Sequence, residues 1–217
     1  MPTVMIIGAS RGIGLELARQ YANDGWRVHA TTRTLAQPGA LGALVGDIVL
    51  HALEVRDAVQ IAALAAAVEH EGIDVLIHNA GVSGWGMSRA EVMAINADAP
   101  IKVAQALLPA VIRSTEKKVV LMTSQLGARY GRRRSLGLYG DSKAALNDAF
   151  RALAPEWGRQ GVRAMVMHPG WVRTDMGGAS ASLSVAESVA GMRQVIARLT
   201  VVEHGRFWTW NGREHPW

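Results

Sequence analysis

The stretch VMIIGASRGIGLEL, Val4 to Leu17, is a short apolar run followed by glycines at Gly8, Gly12 and Gly14 and then the first turns of an amphipathic helix. It reads as strand, tight turn and helix N-terminus. Glycine tolerates positive φ and lets another group approach the backbone. A turn that aims backbone N–H groups and the positive end of a helix dipole at one point suits a pyrophosphate. The spacing is G-x-x-x-G-x-G rather than G-x-G-x-x-G. Turns between strands and helices use glycine in any case, so the bland alternative is a packing turn. The functional reading gains weight only from residues farther along the chain.

The whole chain has 217 residues, 49% hydrophobic and 19% charged, which fits one globular domain with a proper core. No cysteine is present, which excludes disulfides and cysteine-based zinc sites. The seven histidines never fall at helical ligand spacing, and no metal is expected. No apolar run approaches the ~20 residues that span a bilayer. The N-terminus MPTVMIIG carries neither a basic segment nor a cleavage site, so a cytoplasmic protein is expected, with no membrane partner. The net charge of +5 is scattered except at Arg132 to Arg134. Three arginines in a loop usually make a solvated face, so no nucleic-acid partner is expected. An anionic small molecule explains part of the excess equally well.

Working outward from the glycine turn, the first helix runs to about Asn23 and a second strand covers Trp26 to Thr31. The end of that strand is where a dinucleotide fold chooses its cofactor, because a carboxylate there bonds the ribose hydroxyls and a basic residue accommodates a 2′-phosphate. The chain supplies Thr31, Thr32 and Arg33, with Arg11 inside the turn on the other side. Singly, each arginine reads as a surface residue; together, with the acid missing, they favour NADP. A third strand is expected over Ile48 to Val55. Glu54 near its end either accepts from an adenine amine or simply sits beside the next helix N-terminus, which Asp57 caps. Ile73 to Asn79 is a nearly continuous apolar strand, as in a parallel sheet covered on both faces. A long helical region from Arg89 to Ser114 contains Asn96, with local bends expected at Pro100 and Pro109. A fifth strand, Lys118 to Thr123, ends at Ser124. A sixth, Arg163 to His168, ends in Pro169-Gly170. The last helix opens at Ser184 with a capping box to Glu187, and a seventh strand covers Gly205 to Thr209.

Tyr139 and Lys143 open the helix that follows the arginine-rich loop, four residues apart and so on one face. An ammonium beside a phenol favours the phenolate and is expected to pull the tyrosine from ~10 toward neutrality. Such a tyrosine exchanges a proton with a substrate oxygen at physiological pH. Alone, Y-x-x-x-K is common by chance and usually a surface pair.

Taken with Ser124, Asn79-Ala80-Gly81, Asn96, Pro169-Gly170 and the glycine turn, the set resembles the short-chain dehydrogenase/reductase family over nearly the whole chain. The segment GWVRTDMGG at 170–178 and the C-terminal G-R-F…N-G-R-E-H-P-W are similar to its C-factor and sniffer-like carbonyl reductases. The resemblance implies that residues 1–217 form one NAD(P)-binding Rossmann-type domain, a doubly wound parallel sheet of about seven strands with helices on both faces. It implies NADPH-dependent reduction of an aldehyde or ketone. By the same resemblance Tyr139 is the general acid, Ser124 holds the carbonyl oxygen, Lys143 tunes the tyrosine and bonds the nicotinamide ribose, and Asn96 steadies a water linking Lys143 to solvent. The cofactor is assigned to Gly8, Ser10, Arg11, Gly12, Ile13, Gly14, Arg33, Glu54, Val55, Asn79, Ala80, Gly81, Pro169, Gly170, Val172 and Thr174, besides Tyr139 and Lys143. Trp85, Trp171 and Met176 are candidate apolar lining for a small-molecule carbonyl or alcohol. The long helices around Asn96 to Arg113 and Tyr139 to Trp157 resemble the surfaces through which that family pairs, which implies a homodimer or homotetramer.

Three positions depart from the family pattern. Ile7 replaces a threonine before the first glycine, His78 replaces the first of two asparagines, and Glu54 replaces an aspartate. The missing threonine is expected to loosen the contact between the turn and the fourth strand. The rival reading is an NADP-binding signalling or regulatory protein with marginal turnover.

Overall fold

Strand residues that alternate in direction sort their side chains to two faces, and here both faces are apolar. The computed structural model describes residues 1–130 and 135–217. The Arg132 to Arg134 cluster lies outside them. Seven strands, β1 (Thr3–Ile7), β2 (Arg27–Thr32), β3 (Ile48–Ala52), β4 (Val75–His78), β5 (Lys118–Met122), β6 (Arg163–His168) and β7 (Arg206–Thr209), form one sheet in the order β3-β2-β1-β4-β5-β6-β7. Every pairing in it is parallel. Among the described residues the α-helices are α1 (Gly12–Asn23), α2 (Ala58–Ala67), α3 (Arg89–Met93), α4 (Ala99–Arg113), α5 (Gly137–Arg159) and α6 (Val185–Ala197). Val4 and Ile6 face a layer completed by Leu17 and Tyr21 of α1 and Val189 and Met192 of α6. Met5 and Ile7 face the other layer, with Leu64 of α2, Val103 and Leu107 of α4, and Leu146, Phe150 and Trp157 of α5. Each such side chain contributes roughly 1.5–3 kcal/mol on full burial. The sheet is therefore doubly wound, as expected, and the strand order reverses beside β1.

Element ends differ from the sequence reading where tertiary contacts overrule the pattern. β3 stops at Ala52, so Glu54 and Val55 lie in the loop beyond it. The region from Arg89 to Ser114 is interrupted by a π-helical segment, Ala94–Asp98. Pro100 follows it in the first turn of α4 and has no N–H to offer the Asn96 carbonyl four residues back. Pro109 is accommodated inside α4. The capping box of Ser184 and Glu187 and the Asp57 cap form as read. No described helix is long and apolar enough to cross a membrane.

Candidate active site

The glycine turn is held by three strands at once. Gly8 adopts φ +84, and its N–H donates to Thr31 Oγ1 at 2.9 Å. The Asn79 side-chain amide donates to the Gly8 carbonyl at 2.8 Å, and the Asn79 and Ala80 N–H groups both donate to the Ile7 carbonyl. A Cβ on Gly14 would stand 2.0 Å from the Gly8 oxygen, and one on Gly8 would stand 2.8 Å from Ala80. Asn79 and the backbone thus connect the turn to β4 without a threonine hydroxyl at position 7.

A cleft of about 660 Å³ opens along the C-terminal edge of the sheet, where β1 and β4 part. One end is lined by Thr31, Thr32 and Arg33 after β2 and by Glu54 and Val55 after β3. Its middle holds Gly8, Ser10, Arg11, Gly12 and Ile13, with Asn79, Ala80 and Gly81 behind them. The far end holds Tyr139, Lys143, Pro169, Thr174 and Met176. Arg11 is ion-paired with Asp175, and Glu54 is paired with Arg56 at 3.0 Å. Gly14, Gly170 and Val172 support the walls without lining them; a Cβ on Gly170 would meet Leu183 at 2.3 Å, and Val172 is bridged to Leu183. The apolar lining is revised for two residues. Trp85 is 94% exposed, and the Trp171 indole N–H is engaged by the Gly177 carbonyl at 2.8 Å, so of the three only Met176 borders the cleft.

Lys143, from the second turn of α5, is buried and donates to the Met122 carbonyl at 2.9 Å. Burial in this apolar surrounding pushes its ammonium down to about 8. Its Nζ lies 5.9 Å from the centre of the Tyr139 ring. The tyrosine itself behaves differently from the sequence expectation. Burial raises it above the ordinary phenol range, while the Ser124 hydroxyl nearby pulls the other way. Desolvation of the charged form is the larger of these two effects. Asn96 is fully buried in the π segment; its amide exchanges two hydrogen bonds with the Val82 backbone and donates to Ser142 Oγ at 3.0 Å. Asn96 Oδ1 and Lys143 Nζ both stand against Gly81, at 3.2 and 3.6 Å from where a Cβ would be.

Sequence reasoning missed the residues that hold this end together. Asn147, one turn beyond Lys143, is buried, accepts from Thr123 Oγ1 at 2.7 Å and donates to the Gly127 carbonyl at 3.2 Å. Gly127 packs so closely that its Cβ would stand 2.7 Å from the Lys143 backbone. A polar side chain between Leu146 and Phe150 was the available signal. His78 is buried too, its ring nitrogens without a partner among the described residues, and burial followed by the Lys143 charge pushes it down to about 3.

Residues 2–183 match the sequence model of the family described as short chain dehydrogenase. The chain is 38% identical over 154 residues to C-signal of Myxococcus xanthus, covering 67% of this chain and 93% of that protein. Among solved structures, it superposes on the carbonyl reductase Sniffer of D. melanogaster with a TM-score of 0.91 at 28% identity, with 100% of both chains covered. It superposes on a carbonyl reductase from Pseudomonas aeruginosa PAO1 in complex with NADP at 0.87 and 33% identity, again with 100% of both chains covered.

Proposed function

The chain belongs to the short-chain dehydrogenase family of oxidoreductases, and from that premise we propose that it reduces an aldehyde or ketone with NADPH. The observation that carries this reading is the single cleft in which the glycine turn, Arg33 and the Tyr139–Lys143 pair share one wall-to-wall space. A dinucleotide fits what is there. The floor at Gly8 and Gly81 is bare backbone, with neighbours that a Cβ would crowd. The Gly12–Asn23 helix aims its N-terminus at the same floor, and no carboxylate follows Thr32 to repel a 2′-phosphate. Gly8, Ser10, Gly12 and Ile13 would hold the pyrophosphate, Arg11 and Arg33 the 2′-phosphate, Glu54 and Val55 the adenine, and Asn79 to Gly81, Pro169 and Thr174 the nicotinamide half. When bound, NADPH supplies the hydride.

The chain's own residues supply the proton and the orientation. The Ser124 hydroxyl donates to the carbonyl oxygen and holds it beside the Tyr139 phenol. A neutral phenol is the form required of a general acid, so the raised value at Tyr139 is compatible with reduction at neutral pH. As the oxygen gains negative charge it becomes far more basic than a phenolate, and the Tyr139 Oη proton passes to it. The Lys143 ammonium stabilises the phenolate left behind. At about 8 it also returns a proton readily near neutrality.

A panel of aldehydes, diketones, quinones and ketones, offered with NADPH and with NADH, tests this directly. Turnover with at least one carbonyl and a KM for NADPH about tenfold or more below that for NADH is expected. Equal use of both cofactors would remove the 2′-phosphate assignment. A second reading, cofactor binding in the service of signalling, is favoured by the likeness to C-signal. It would be preferred if NADPH bound tightly and no carbonyl was turned over.

A further inference from the structure

Two groups on different elements must meet at the reacting oxygen: Ser124, at the end of β5, and Tyr139, in the first turn of α5. Nothing covalent fixes their separation, so something must lock the strand end onto the helix. Three hydrogen bonds and one close packing contact do so. Thr123, immediately before Ser124, donates to Asn147 Oδ1 at 2.7 Å. Asn147 Nδ2 donates to the Gly127 carbonyl at 3.2 Å, and the Gly127 N–H donates back to the Ser124 carbonyl at 2.8 Å. Gly127 in turn lies against the Lys143 backbone, closer than any Cβ would allow. Thr123 and Asn147 are each 2% exposed, so the bonds between them are shielded from water.

We propose that Asn147 is the positioning residue of this site: its amide clamps both ends of the 123–127 turn onto α5 and so sets where the Ser124 hydroxyl stands relative to Tyr139. The inference rests on the carbonyl-reductase reading for its kinetic readout. Asn147 occupies the helix two turns on from Tyr139 and one turn on from Lys143, so all three share a face and the clamp is referenced to the same rigid element. The amide is suited to this because it accepts and donates at once. Leucine of similar volume does neither, and aspartate accepts from Thr123 but offers the Gly127 carbonyl no proton.

Three variants separate positioning from stability. Asn147→Leu leaves the Thr123 hydroxyl buried without an acceptor and lowers both Tm and kcat. Thr123→Val/Asn147→Leu removes that orphaned donor and recovers much of the lost Tm. Its kcat is expected to stay about tenfold to a hundredfold below wild type, with KM for NADPH changed less than about twofold, because Ser124 is still unclamped. Recovery of kcat along with Tm would overturn the proposal and leave Asn147 a structural residue. The same variants are read without turnover through tyrosinate absorbance. The signal of Tyr139 is isolated by subtracting the Tyr139→Phe counterpart of each variant. Displacement of the Ser124 hydroxyl, whose nearness lowers the Tyr139 ionisation, shifts that ionisation upward in both leucine variants, and an unshifted titration would also contradict the clamp. Should the wild type reduce no carbonyl, the functional reading falls while the tyrosinate titration still decides the clamp.

Discussion

At single residues, burial is the leading cause that moves both Lys143 and Tyr139 from their ordinary values. Lys143 is the clearest case. Its folded value of about 8 lies below the 10.5 of a free lysine, so between these values the unfolded chain binds more protons than the folded one. The group therefore costs stability below about pH 8, and that cost is relieved as pH rises toward 10.5. Wild type is expected to gain on the order of 3 kcal/mol relative to Lys143→Met between neutrality and pH 10.5, measured by denaturant unfolding. A pH-independent difference would mean the ammonium is not desolvated. Arg33→Asp is expected to lose about 1.5–3 kcal/mol of NADPH affinity, roughly tenfold to a hundredfold, with NADH binding unchanged or improved. Equilibrium titration with both cofactors measures it, and an unaltered preference would take Arg33 out of the site. The identities of these groups were legible in the sequence because spacing carries them: Tyr139 and Lys143 four apart, Arg33 after a strand that lacks an acid. Their environment was not. That Tyr139 rises rather than falls depends on burial among residues distant in sequence.

Among the elements, the glycine turn is the one that tolerates least. Gly14→Ala would drive a methyl into the Gly8 carbonyl, 2.0 Å away, so either α1 or the turn must move. The expected outcome is a loss of at least about 1–3 kcal/mol together with weakened NADPH binding, seen in thermal unfolding and in titration. Unchanged affinity with lowered stability would show that the turn merely packs. The strand–turn–helix at Val4 to Leu17 announced itself through composition alone. The π segment at Ala94–Asp98 did not, although Pro100 marked the place: a missing N–H is visible in sequence, but whether the helix kinks, ends or widens is settled by what packs around it. The clamp at Asn147 was hidden for a similar reason. Thr123 and Gly127 precede it by 24 and 20 residues, and only the β5–α5 packing makes them partners.

Across the whole molecule, the strand order sets where ligands bind. Connections from β1 and from β4 leave the sheet on opposite sides, and the crevice between them at the carboxyl edge is where the cleft lies. NADPH held there as proposed would tie four elements, β1, β2, β4 and α1, to one ligand. At a hundredfold excess over its Kd it is expected to stabilise the chain by about 2.7 kcal/mol, with NADH at equal concentration giving a smaller shift in Tm. Equal shifts would speak against NADP selectivity at the level of the folded state. In the proposed reading, the proton donor is what would make this cleft a reductase rather than a cofactor store. The measurement that tests it most directly compares wild type with Tyr139→Phe for consumption of NADPH with a carbonyl that the wild type reduces, while tryptophan fluorescence confirms that both bind NADPH. The variant is expected to bind as wild type does and to lose about 10²–10⁴-fold in kcat. Wild-type turnover in Tyr139→Phe would contradict the assignment of Tyr139 as the acid.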